Sequence, residues 1–245
     1  MSPANIDSAR WEDSQVVLLD IEGTISSISF VKDVLYPYAV DRLAKLSRDS
    51  WHDPGFQDLI AGFPEETRPN AETLLAHVHD LTRSDTKAVY LKQLQGKLWK
   101  TGYEDGDLIT PLFDDVIPTL EKWKNAGKTL AIFSSGSVQA QLQFFSFVRD
   151  GATTRDLKPL FKAHFDPTIA GSKLEKGSYE KIGSELGQKG ARVTFLTDNI
   201  KGTFPSHSTL LSMVPQFCYH SIYSPVTRGC STRPALPWAI RYVST

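Results

Sequence analysis

The sequence predicts an α/β protein with a doubly wound parallel sheet and an inserted helical cap domain. Three short apolar segments have the composition of strands that are buried on both faces, at residues 16–20, 129–133 and 192–197. Segments with helical periodicity alternate with the later strands, whereas residues 29–111 carry almost no strand signal. This order is typical of a doubly wound core that carries an insertion after its first strand.

The first strand, "VVLLD", ends in Asp20. In residues 30–46 the apolar side chains recur every three or four positions, which predicts an amphipathic helix. Further helices are predicted at residues 74–81 and from Ser84, as an N-cap, to Leu98. We assign these helices to a cap that spans residues 29–111.

Beyond the cap, helices and strands alternate. The predicted elements are a helix that stops at Gly127, a strand at 129–133, a helix at 138–147, a strand at 164–169, a helix at 176–186 and a strand at 192–197. We assign residues 14–28 and 112–201 to the core. Ligands bind at the carboxyl ends of such strands, so Asp20, Ser134 and Asp198 should meet at that edge.

The composition excludes several classes of protein. The net charge is −1, and no dense cluster of Lys and Arg indicates nucleic acid binding. The N-terminus is polar, and no apolar run approaches the roughly 20 residues of a membrane span. We therefore expect a soluble intracellular protein. Cys218 and Cys230 do not have the spacing of a zinc site and receive no role.

Two carboxylates follow the first strand in "DIEGT", Asp20 and Glu22. One could act as a nucleophile that forms an aspartyl-phosphate while the other transfers protons. Two acids in one concave site repel each other, so a cation is expected between them, and Mg²⁺ suits oxygen ligands and phosphate. The same letters also fit a solvated turn with an Asp helix cap, and the motif alone leaves both interpretations open.

Further candidates follow the later strands. Ser134, Ser135 and Gly136 offer a hydroxyl and consecutive N–H groups at a helix start, which suits an anion as well as a simple N-cap. Lys173 precedes a helix and could neutralise phosphate, although a single lysine is usually a surface residue. Four features follow one another along the chain: an acid pair, a Ser, a Lys and a final Asp198. Together they are stronger evidence for a functional site than any one of them alone.

These motifs resemble a known family. The segments "LLDIEGT", "ISFVKDVLYPYA", "LKQLQGKLWKTGY", "FSSGSVQAQ", "GSKLEKGSYEKI" and "FLTDN" are similar to the acireductone-forming enolase-phosphatases of methionine salvage, within the haloacid dehalogenase superfamily of Mg²⁺-dependent phosphotransferases. The resemblance covers about residues 14–201. It implies a haloacid dehalogenase-like core, a helical cap and a monomer in the cytoplasm, with the nucleus as a second location.

The resemblance also implies a reaction and its residues. The substrate would be a phosphorylated diketone, 2,3-diketo-5-methylthiopentyl-1-phosphate, which is enolised and then hydrolysed. Asp20 would be the nucleophile, and Glu22 the acid and base. Asp20, Asp198 and the Glu22 backbone carbonyl would hold one Mg²⁺ per chain. Ser134, Ser135 and Lys173 would bind the phosphate or substrate. We hypothesise that the longer reach of Glu22, relative to an aspartate, serves the enolisation.

The chain departs from the family after Asp198. The family has a glutamate four residues beyond that aspartate, where this chain has Gly202. Residues 202–245 contain no Asp or Glu and do not resemble the helix and strand that the family places there. The segment "LLSMVPQF" is the candidate for a substitute edge strand. Two alternatives to an enolase-phosphatase remain: a general phosphatase of this fold, and a non-catalytic relative with a compromised metal site.

We hypothesise that the 202–245 tail arises from a shifted reading frame or an unspliced intron rather than from divergence of the lineage. Sequencing of transcripts across the codons for residues 199–204 is expected to show a frame or splice that restores the family's C-terminus. A spliced, in-frame message that encodes this tail would contradict the hypothesis.

Overall fold

The first apolar segment forms strand β1 (Val16–Leu19), whose four side chains are all buried. The computed structural model describes residues 13–84, 86, 88–188 and 193–198, together with the backbone of Val243–Ser244. Contacts within the chain divide it into two units. One comprises the described residues up to Ser26, Leu112–Val138 and those from Lys158 onward, and the other comprises Ser27–Pro111 and Gln139–Leu157.

A five-stranded sheet organises the first unit. Its other strands are β2 (Thr129–Phe133), β5 (Phe161–Phe165), β6 (Val193–Leu196) and β7 (Val243–Ser244), in the order β5-β2-β1-β6-β7. The first four are parallel, and β7 pairs antiparallel with β6. The parallel strands are rich in Val, Leu, Ile and Phe because helices cover both faces of such sheets. The predicted doubly wound α/β class is therefore confirmed.

Among the described residues, three α-helices lie in this unit and a fourth begins in it at Val138. They are α5 (Val116–Asn125), α6 (Val138–Ser146), α7 (Pro167–Ala170) and α8 (Lys176–Glu185). The buried cluster of the unit joins strand side chains to α8, with Val16, Leu18, Phe133, Phe195 and Ile182 among its members. The strands β1, β2 and β6 end side by side, with Leu19 opposite both Ile132 and Leu196. Residues that follow these strands are thus placed at one edge of the sheet.

The second unit is mainly helical. A π-helical turn at Phe30–Leu35 leads into α1 (Tyr36–Asp49), and α2 (Pro54–Ile60), α3 (Ala71–Arg83) and α4 (Val89–Glu104) follow. The described residues between 29 and 109 contain no strand. Asp53 caps α2 by accepting hydrogen bonds from two backbone N–H groups, and Asn70 caps α3 in the same way through one. Apolar side chains of α1 to α4 form a separate buried cluster.

The structure corrects several sequence predictions in this unit. Ser84 is not the N-cap of α4: it ends α3, and its hydroxyl donates to the Asp80 carbonyl. The helix α2 was not predicted, nor was the hairpin of β3 (Val148–Asp150) and β4 (Thr153–Arg155).

The unit boundary also differs from the predicted one. Residues 139–157 were assigned to the core, yet they group with the helical unit. Two contacts explain this: the ring of Phe147 stacks on that of Tyr103 at 5.5 Å, and the Thr110 N–H donates to the Phe147 carbonyl.

The third strand of the core is shifted from its predicted position at residues 164–169. Strand β5 ends at Phe165, and Asp166 caps α7, with Pro167 at the first helical position. An Asp followed by Pro is a helix start because proline lacks the N–H that a first turn leaves unpaired. The candidate edge strand "LLSMVPQF" and Gly202 lie outside the described residues, as do residues 202–242 of the tail generally. Within the described residues, no helix has the length and apolar composition that crossing a membrane requires.

His164 on β5 gives the stability of the protein a dependence on pH. Burial, with the nearby charge of Lys158, lowers the pKa of His164 to about 4. In the unfolded chain a histidine titrates near 6.5, so between these values the unfolded state binds a proton that the folded state does not. The free energy of unfolding should therefore rise as the pH increases from 4 to 6.5.

We expect His164→Gln to remove this contribution, which is on the order of 1–2 kcal/mol after allowance for solvent screening. Urea unfolding at pH 4.5 and pH 7 measures it, and the variant should lose less stability at the lower pH than the parent does. His52→Gln, at an exposed position, is the matched control. Equal losses in the parent and in His164→Gln would contradict the prediction.

Candidate active site

Asp20 follows β1 and is only 5% exposed. Its Oδ1 accepts a hydrogen bond from the Ile21 N–H at 2.8 Å, and its Oδ2 accepts one from the Thr197 hydroxyl at 2.8 Å. The Asp20 N–H donates to the Leu196 carbonyl, which continues the pairing of β1 with β6 for one more residue. The sheet thus fixes both the backbone and the carboxylate of Asp20.

Lys173 provides the positive charge beside this carboxylate. Its Nζ lies 2.5 Å from Asp20 Oδ1, and its side chain is 17% exposed. The same Nζ lies 5.7 Å from the ring centre of Phe133 and 5.8 Å from that of Phe195, within the range of cation–π attraction. Lys173 is therefore an internal partner of Asp20 and not a solvated surface lysine.

A tight turn carries Glu22 away from β1. The N–H groups of Thr24, Ile25 and Ser26 all donate to the Ile21 carbonyl, and Glu22 is half-buried. The Thr24 hydroxyl accepts a hydrogen bond from the Asp198 N–H at 3.0 Å. This contact joins the turn after β1 to the residue that ends the β6 segment. The site is therefore held together by two contacts: Lys173 pairs with Asp20, and the turn that carries Glu22 bonds to Asp198.

Gly23 permits the close approach of Asp198. Its φ of +75° lies in the left-handed region, where side chains with a Cβ are strained. A Cβ at this position would lie 2.1 Å from Asp198 Oδ2. Only glycine allows the turn to take this shape with the carboxylate against it.

Ser134 lies at the end of β2, which is the parallel neighbour of β1. It is 2% exposed, and its Oγ accepts a hydrogen bond from the Gly136 N–H at 3.2 Å. Its own N–H donates to the Phe165 carbonyl. Ser135 is exposed. The structure therefore places both serines at the predicted edge, with one hydroxyl turned into the protein and one residue open to solvent.

Two polar residues that the sequence analysis did not assign support this edge. Thr197 holds Asp20, and Asp166 accepts hydrogen bonds from the Val138 N–H and, at the start of α7, from Thr168 and Ile169. Asp166 thereby fixes the backbone that follows the serines. The sequence offers a signal for each of these residues: Asp166 precedes a proline, and Thr197 precedes Asp198.

Comparisons with known proteins agree with this geometry. A model of the haloacid dehalogenase-like hydrolases matches residues 15–203. The protein "Enolase-phosphatase E1" of Sordaria macrospora is 47% identical over 189 residues, which is 76% of this chain and 80% of the relative. The chain belongs to the enolase-phosphatase family of haloacid dehalogenase-like hydrolases.

Other enolase-phosphatases and a solved structure are also similar. "Enolase-phosphatase E1" of Komagataella phaffii is 42% identical over 191 residues, covering 76% of this chain and 81% of the relative. The crystal structure of the UTR4 protein of Saccharomyces cerevisiae superposes with a TM-score of 0.68 at 35% identity and covers 77% of this chain and 83% of that one. Family membership and the predicted enolase-phosphatase resemblance are thus confirmed.

Gly23→Ala tests whether the turn after β1 shapes the site of this enolase-phosphatase. We expect a loss of about 1–2 kcal/mol in the free energy of unfolding from the backbone strain. Displacement of Asp198 should also lower the rate of phosphate release by about 10–100-fold. Thermal unfolding and a phosphate-release assay measure the two effects.

Gly127→Ala is the matched control, because Gly127 has a similar φ of +83° and a Cβ there meets nothing within 4 Å. It should cost similar stability and leave phosphate release unchanged. Equal activities of the two variants would show that the contact with Asp198 is unimportant.

Proposed function

We propose that Asp20 and Glu22, the two carboxylates that follow β1, carry out both steps of the enolase-phosphatase reaction. The substrate is 2,3-diketo-5-methylthiopentyl-1-phosphate, and the product is the acireductone 1,2-dihydroxy-3-keto-5-methylthiopentene of methionine salvage. The observation that carries the proposal is the pair of the buried Asp20 and the half-buried Lys173, 2.5 Å apart at the end of the first strand. A held carboxylate beside an ammonium group is the arrangement that a nucleophile and a phosphate need.

Asp20 acts as the nucleophile of the hydrolytic step. One of its oxygens attacks phosphorus, the ester P–O bond breaks, and the electron pair remains on the leaving enol oxygen, which Glu22 protonates. Water then attacks phosphorus of the aspartyl-phosphate as Glu22 takes its proton, and orthophosphate and Asp20 are released. The hydrogen bonds from Ile21 and Thr197 orient the carboxylate for attack.

Lys173 and the serines hold the phosphate. The ammonium group of Lys173 already lies against the nucleophile, so it can neutralise the charge of an entering phosphoryl group. Ser135 and the N–H groups that lead into α6 lie beside the neighbouring strand end, where backbone donors suit an anion. Ser134 is buried and shapes this loop through Gly136.

The donor atoms at this edge are oxygens, the type of ligand that Mg²⁺ prefers. Within the part of the chain that the structure describes, no three His, Cys, Asp or Glu side chains form a metal-binding group. Two carboxylates, Asp20 and Asp198, with the Glu22 carbonyl would supply hard oxygen ligands, and Mg²⁺ typically keeps several waters besides few protein ligands. When bound, Mg²⁺ would neutralise negative charge on the phosphoryl group and on the enolate oxygens.

Glu22 also serves the enolisation in this proposal. The tight turn places it two residues beyond Asp20, and its side chain is one methylene longer than that of an aspartate. It can therefore reach the carbon-bound proton beside the carbonyl, which is farther from Asp20 than the phosphorus is. Removal of this proton moves the C–H electron pair into the new C=C bond and the carbonyl π pair onto oxygen, and that oxygen then takes a proton to complete the enol. The proposal also includes a monomeric state, a single Mg²⁺ per chain and cytoplasmic and nuclear locations. These features are inferred from the resemblance to the family.

Two variants should separate the steps of the reaction. The purified full-length chain is expected to release orthophosphate from the diketone phosphate when Mg²⁺ is present. Asp20→Asn should lower this release by about 10³-fold or more, because the nucleophile is lost. Glu22→Asp should slow formation of the enol, followed by its ultraviolet absorbance, by about 10²-fold.

Asp58→Asn, at an exposed position on α2, is the control and should match the parent in both assays. Release of phosphate only from other esters would favour a general phosphatase, and substrate binding without turnover would favour a non-catalytic relative. Full enolisation by Glu22→Asp would contradict the role of its reach.

A further inference from the structure

The first turns of α8 hold the loop that carries Lys173. The Ser178 hydroxyl donates to the Ser172 carbonyl at 2.7 Å, and the Tyr179 hydroxyl donates to the Lys173 carbonyl at 2.7 Å. Two successive side chains of the helix therefore bind two successive carbonyls of the loop. The backbone of Lys173 has a defined place before any substrate enters.

The ring of Tyr179 is part of the same arrangement. It is buried and packs edge-to-face on Phe133, with ring centres 5.7 Å apart, and against Phe195 at 5.6 Å. These two rings also lie within 6 Å of the Lys173 ammonium group. Tyr179 thus contacts Lys173 through its hydroxyl and contacts both aromatic neighbours of the lysine through its ring.

The phenol of Tyr179 is a permanent donor. Burial, and then the negative charge of Asp20, raises its pKa well above the ordinary value of a tyrosine. The hydroxyl consequently stays protonated at the pH values at which an enzyme works. Its hydrogen bond to the Lys173 carbonyl does not depend on titration.

We propose that Tyr179 is a positioning residue that sets the Lys173 ammonium group against Asp20 and the phosphate, with Ser178 in support. The inference rests on the role of Lys173 in the proposed function and adds a residue to which no role has been assigned. Tyr179 acts through Lys173 and touches neither substrate nor metal in this scheme. Because the ammonium group must meet two partners at once, a small shift of its backbone should weaken phosphate binding.

Tyr179→Phe removes the hydroxyl and keeps the ring. The probe is inorganic phosphate, and its binding to the full-length chain can be followed by calorimetry without any substrate. We expect Tyr179→Phe to weaken phosphate binding by about 3–10-fold, the usual effect of one lost hydrogen bond on a positioned group. Ser178→Ala should weaken it by about 2–5-fold, and this second variant keeps the test decisive if Tyr179→Phe folds poorly.

Tyr103→Phe is the matched control. Tyr103 is also a buried tyrosine, and its hydroxyl pairs with that of Thr110 at 3.0 Å within the helical unit. It should lower the thermal midpoint as much as Tyr179→Phe does and leave phosphate binding unchanged. Equal phosphate affinities of Tyr103→Phe and Tyr179→Phe would overturn the inference, because the hydroxyl would then be merely structural.

A double-mutant cycle tests whether the effect passes through Lys173. In the Lys173→Ala background, Tyr179→Phe should change phosphate binding by less than about twofold, whereas additive effects would overturn the inference. Unchanged phosphate binding by Lys173→Ala itself would also overturn it. Failure of the proposed reaction is distinguishable, because it appears as absent turnover of the diketone phosphate by the parent chain, whatever the phosphate affinities are.

Discussion

A carboxylate and an ammonium group in contact at the end of β1 constrain the rest of the core. Asp20 is almost fully buried, and a buried charge is costly unless it is paired and hydrogen-bonded. Its partners come from three separate places: the next residue, the end of the β6 segment and the loop before α8. The parallel sheet, with β1 between β2 and β6, brings these places together. The fold and the charge pair therefore depend on each other.

The surroundings of Lys173 follow from the same geometry. Phe133 and Phe195 end or nearly end the two strands beside β1, and both rings face the ammonium group. Their faces attract the cation, and these apolar surroundings strengthen the attraction between Lys173 and Asp20. The hydroxyl of Tyr179 then fixes the backbone from which the lysine extends. Apolar core residues thus take part in the electrostatics of the site.

Local signals explain which elements could be predicted. The strands at β1 and β2 and the helices α5, α6 and α8 stand out because their apolar side chains recur with a clear period and end at glycines or polar residues. The hairpin of β3 and β4 is short and mostly exposed, so no apolar alternation marks it. From its residue type alone, Ser84 could begin one helix as an N-cap or end the helix before it. Its hydrogen bond to the Asp80 carbonyl shows that it ends α3.

The sequence alone predicted the class of fold, the chemical types at the site and the order of Asp20, Ser134, Lys173 and Asp198 along the chain. It did so because strand ends, turns and family motifs are local patterns. The contacts between these groups arise only when the chain folds. Thr197 and Asp20 are 177 residues apart in sequence, and Lys173 reaches Asp20 from the loop before α8. Such contacts depend on how strands pair and helices pack, which no local period encodes.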